Sequence, residues 1–138
     1  MTEVKGLISV AQGEGLNFGN YELDTKTKVS DFEYMGDTYK VKSFKELTKL
    51  EKNELFVYES VPGTVVTDFV MEANDVSFKV EGYTDTQIAI GLEPETEYKV
   101  MVDGVTTGFV NTNLGGKLVF STPCTDKAQE VKIFKINK

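Results

Sequence analysis

The sequence predicts an all-β protein, an antiparallel sandwich or barrel-like fold with one short helix near residues 44–52. Three observations predict it. Apolar residues alternate with polar ones over many short segments, the period of a half-buried strand. Turn signals separate these segments roughly every eight to twelve residues, as in sandwiches and barrels. Hydrophobic residues make up 40% and charged residues 27% of a 138-residue chain. That balance suits a globular core large enough to need no disulfide or metal staple.

In order, residues 6–10 read as a first strand, followed by a glycine-rich loop over residues 12–20. A glycine loop between a strand and a helix can cradle phosphate. Here no helical pattern follows, and Glu14 places negative charge where phosphate would sit. Residues 21–24 are strand-like. Residues 29–35 and 38–42 flank Gly36-Asp37 as a hairpin. Ser43-Phe44-Lys45-Glu46 has the form of a capping box, and Phe44, Leu47 and Leu50 stand at helical spacing, so a helix is expected from Phe44 to Lys52. The rival is a further strand, whose parity would set Leu47 and Leu50 on opposite faces.

Residues 55–59 form a strand, and Val61-Pro62-Gly63 marks a bend. Residues 64–71 and 76–81 form a hairpin around Ala73-Asn74-Asp75, and residues 86–92 add a strand with Ile88, Ile90 and Leu92 inward. Beyond Pro94, Tyr98, Val100 and Val102 share one face of a strand. Asp103-Gly104 suits a two-residue turn, because glycine takes positive φ without a clash. Residues 105–110 return antiparallel, Asn113 to Gly116 turn again, and residues 117–121 follow. After a loop over residues 122–126, residues 130–136 form the last strand. There Phe134 and Ile136 break parity with Val131 and Ile133, which predicts a bulge or burial on both faces.

The length fits one domain or two small modules sharing a core. The bend gives a seam between an N-terminal β-rich half, residues 1–61, and a C-terminal half, residues 62–138. In that second half, Leu92, Pro94, Thr96, Tyr98 and Val100 resemble the tyrosine corner of fibronectin-type and immunoglobulin-like sandwiches. The resemblance implies a sandwich half in which the tyrosine hydroxyl ties a strand start to upstream backbone.

Composition narrows the chemistry. The chain has no histidine and no tryptophan, and lysine supplies all 15 of its basic residues, so arginine is absent too. It therefore lacks the commonest general base, the bidentate anion clamp and the best sugar-stacking ring. Net charge is −7, which repels phosphate backbones and anionic lipid and predicts neither nucleic acid nor membrane as partner. The lysines at 40, 42, 45, 49 and 52, with Glu46 and Glu51, read as a solvated face. Asp31, Glu33 and Asp37 lack calcium-loop spacing, so no metal or other cofactor is expected. Asp31 with Glu33, or Glu93, Glu95 and Glu97, are the carboxylates a glycosidase would need, but their period of two reads as a solvent-facing row. Cys124, the single cysteine, reads as a passive thiol. It allows no intrachain disulfide, and the N-terminus carries no signal-peptide pattern; both favour the cytoplasm.

Three further strings, Asn17-Phe18-Gly19-Asn20-Tyr21, Phe56 to Thr64 and Thr112 to Leu118, resemble a small bacterial family whose members often carry the name endosialidase. That resemblance spans nearly the full length and implies glycoside hydrolysis, with no catalytic residue to carry onto this chain. The residues argue otherwise, since gripping a sialic acid carboxylate generally takes an arginine fork. The expected function is non-catalytic, through self-association into a homo-oligomer or through binding. One alternative is a glycan-binding module, with Tyr83 in the turn Gly82-Tyr83-Thr84-Asp85 as the exposed stacking candidate. The other is the hydrolase that the family name implies.

Overall fold

The computed structural model describes residues 1–136. Its strands are β1 (Ile8–Val10), β2 (Leu16–Phe18), β3 (Thr27–Tyr34), β4 (Asp37–Phe44), β5 (Leu47–Lys52), β6 (Leu55–Val61) and β7 (Val65–Met71). They continue as β8 (Asp75–Glu81), β9 (Thr86–Gly91), β10 (Glu97–Val102), β11 (Val105–Asn111), β12 (Lys117–Thr122) and β13 (Gln129–Lys135). All pairings are antiparallel. A seven-stranded sheet runs β1-β2-β7-β8-β13-β10-β11, and a six-stranded sheet runs β12-β9-β6-β5-β4-β3. The two pack as a sandwich, so the all-β expectation stands.

Both sheets draw strands from either side of the 61/62 seam. β2 pairs with β7, and β6 pairs with β9. One apolar core runs between them, from Leu7 and Ile8 to Val131 and Ile133. At its centre Phe18, Tyr58, Phe69 and Phe78 meet edge to face; Phe18 and Tyr58 lie 5.3 Å apart at 76°. That geometry sets the positive ring edge against the negative ring face.

The helix expected over residues 44–52 is instead a hairpin: β4 turns at Lys45-Glu46 into β5. Val41, Ser43, Thr48 and Leu50 point inward and are fully buried. Leu47 and Leu50 thus lie on opposite faces, as the strand alternative required. Ser43 and Thr48 look polar in a hydrophobicity pattern, yet they belong to the buried face. Ser43 is no helix cap; its hydroxyl accepts the Asn20 N–H at 2.8 Å.

Three smaller corrections follow. The glycine-rich segment contains β2, whose Leu16 and Phe18 are buried. Residues 21–24 form a turn rather than a strand. The β3–β4 turn falls on Met35-Gly36, both at positive φ, one residue earlier than expected. In the last strand no register shift occurs. Val131 and Ile133 face the core, and Phe134 lies half-buried on the outer face.

Tyr98 is buried, and its hydroxyl accepts the Glu93 N–H at 3.3 Å. Among the described residues no helix is long and apolar enough to cross a membrane.

Candidate functional site

Tyr83, the sequence-predicted binding residue, is 52% exposed in the turn between β8 and β9. It is also a brace. Its hydroxyl donates to Lys45 O at 2.7 Å, and its ring leans on buried Tyr21 with centroids 5.8 Å apart. It therefore links the β8–β9 turn to the β4–β5 turn while about half of its surface stays open to solvent.

The carboxylates do not converge. Asp31 and Glu33 lie exposed on β3, where Asp31 takes positive φ at a bulge. Glu93 pairs with Lys135 at 3.1 Å on the surface. Asp37 accepts Asn53 Nδ2–H at 2.8 Å, and this bond, with Lys52 nearby, holds its carboxyl below the usual carboxylate range. Among the described residues, no three His, Cys, Asp or Glu side chains group as metal ligands would. Cys124 is buried, and burial pushes its thiol up to about 11, so it is unreactive at neutral pH.

One groove, of about 190 Å³, opens beside the β3–β4 turn. Tyr34, Tyr39 and Met35 wall it, and Leu16 and Phe69 reach it from the core. The Tyr34 hydroxyl accepts the Gly15 N–H at 3.1 Å, which pins the glycine loop against the hairpin. The two rings are 6.5 Å apart and tilted by 51°, so they form no single flat platform.

The most distinctive surface is the flank where β11 and β12 end their sheets side by side. Val105 (65% exposed), Phe109 (58%) and Val119 (40%) lie on these two strands, and Leu114 (80%) on the turn between them. From Val105 through Thr125 the only charged side chain is Lys117, in a chain of net charge −7. Lys117 itself sits 4.7 Å from the centre of the Phe56 ring. Edge strands are normally guarded by charges or bulges, because their unpaired N–H and C=O groups recruit other strands. β3, at the far edge of the six-stranded sheet, has both guards: Lys28, Asp31 and Glu33, and the bulge at Asp31.

Sequence reasoning read residues 105–121 as strands and missed that two of them are edges. Edge status depends on which strands find partners, and strand order is not written in local periodicity. The gap in acidic residues was the available signal. No family model, no curated protein and no solved structure matches this chain.

Proposed function

We propose that this chain is a non-catalytic module that associates with further copies of itself through the β11–β12 flank. The observation that carries this reading is the acid-free, apolar double edge. Two copies at −7 each repel one another over a Debye length of roughly 8 Å at physiological salt. The repulsion is weakest along β11 and β12, which carry no carboxylate of their own, and their exposed valines and phenylalanine, with Leu114 between them, gain from burial. Open main-chain groups on both edges supply directional bonds.

Light scattering over a wide concentration range tests it. The expected result is a mass above 15.4 kDa that rises with concentration. Phe109→Lys should weaken association at least ~10-fold, since a charge replaces an exposed ring at the edge. Added salt should tighten association by screening the net charge, the opposite of an interface built on ion pairs. A monomer at every concentration overturns the reading.

Glycan binding is a second reading, favoured by the Tyr34–Tyr39 wall of the groove. Tyrosine chemical-shift changes with oligosaccharides would support it, and silence across a broad panel would end it.

A further inference from the structure

We infer that self-association proceeds by antiparallel pairing of β11 with β11 of a second copy, about a twofold axis at Val110. This rests on the self-association reading and adds the strand, the direction and the register.

The parity of the edge follows from the hydrogen bonds at its base. Thr112 N–H donates to Thr96 O at 2.9 Å, in the same register that pairs Tyr98 with Val110 and Lys99 with Phe109. In an antiparallel ladder, bonded and non-bonded pairs alternate. Thr96–Thr112 is a bonded pair, so Tyr98–Val110 is bonded as well. Lys99–Phe109 and Glu97–Asn111 are then the non-bonded pairs. On the β13 side, Ile136 N–H donates to Glu97 O, which turns Glu97 and Lys99 toward β13, as this parity requires. Phe109 and Asn111 thus direct their N–H and C=O groups away from β10, and among the described residues no other strand pairs with β11.

Two open residues of the same parity define a self-complementary register. Setting Phe109 of one copy opposite Asn111 of the other forms two bonded pairs and places the axis between the Val110 residues. A bulge where β11 meets Val100 and Met101 of β10 breaks the ladder nearer the Asp103-Gly104 turn, so regular pairing is confined to the Asn111 end. The two Phe109 rings become diagonal neighbours on one face, within reach of each other. No charged side chain occurs in β11, so no like charges meet across the axis. The result is the seven-stranded sheet continued through its partner.

Val110 facing Val110 is a non-bonded pair with Cα atoms about 4.5 Å apart, inside the range a disulfide spans. The test uses the full chain with Cys124→Ser, so that each variant carries one cysteine. Val110→Cys, Val119→Cys on β12 and Ser30→Cys on β3 are oxidised and run without reductant, with light scattering on the reduced forms. The inference expects a reduced oligomer and a disulfide-linked dimer as the main product of Val110→Cys alone. An oligomer that cross-links through position 119 or 30 instead, or through none of the three, overturns the pairing and leaves self-association standing. A monomer in every reduced form overturns both. Unfolding midpoints matching the Cys124→Ser parent show that each variant is folded.

Discussion

Two regions of this molecule handle polar groups in opposite ways. At one end of the sandwich, five hydroxyls lie fully buried: Ser43, Thr48, Tyr58, Ser60 and Thr64. Every one is paired. Ser43 Oγ lies 2.7 Å from Thr48 Oγ1, Thr48 donates to Thr64 O at 2.9 Å, and Thr64 N–H donates back to Thr48 at 3.0 Å. Thr64 Oγ1 stands 2.8 Å from both Tyr58 Oη and Ser60 Oγ. On the β11 edge, by contrast, main-chain donors and acceptors face outward with no strand beside them among the described residues. The difference teaches where polarity is costly. A buried unpaired group costs about 1–3 kcal/mol, whereas water satisfies an exposed one at little cost. The hub is closed by necessity, and the edge can stay open until another strand arrives.

The comparison breaks hardest at Gly63. A β-carbon there would lie 2.0 Å from Phe44 O, a main-chain atom held in the β4–β5 hairpin. Gly63 N–H also donates to Lys45 O at 2.9 Å, so the two segments cannot separate freely. Gly63→Ala should cost more than about 3 kcal/mol, read from the urea midpoint. Thr64→Val comes next. It keeps the volume but leaves Tyr58 Oη and Ser60 Oγ without their shared partner, at an expected loss of about 2–4 kcal/mol. Thr64→Ser retains the oxygen and should cost only about 1 kcal/mol for the missing methyl. If Thr64→Val and Thr64→Ser are equal, the hydroxyl network contributes nothing. Neither change should alter association of the folded protein.

Part of this was legible beforehand. Alternation at Tyr98, Val100 and Val102 and the Asp103-Gly104 turn are local signals, and β10 and β11 appear where they predict. The hub was misread because its inward residues are hydroxyls. Ser43 carries the same atoms whether it caps a helix or faces a core, and only the partner at Asn20 decides. Three strings in the sequence, residues 17–21, 56–64 and 112–118, fall largely on such fold-determining contacts. Asn17 Oδ1 accepts the Asp68 N–H, Tyr58 and Thr64 join the hub, and Asn113 Oδ1 accepts the N–H groups of Gly115 and Lys117. The flank was invisible for another reason: strand order follows from pairings distant in sequence, such as β10 with β13.

Alkaline pH sharpens the contrast without any mutation. Burial raises the Cys124 thiol from an ordinary 9.0 to about 11, and burial also raises the Tyr58 phenol of the hub. A raised acid is held neutral by the fold, so this stability is fully present below the unfolded pKa and is lost as pH rises through the folded one. Cys124 should therefore begin to lower stability near pH 9 and do so increasingly as pH approaches 11, and Tyr58 should add to the loss above about pH 10. Urea midpoints of the wild type should fall from pH 9, while Cys124→Ala should stay flat to about pH 10; parallel curves would remove Cys124 as the cause. Between pH 7 and 9 the interior and the edge should both be constant. Above pH 9 the interior should weaken first, and association should fall only as the sandwich itself unfolds.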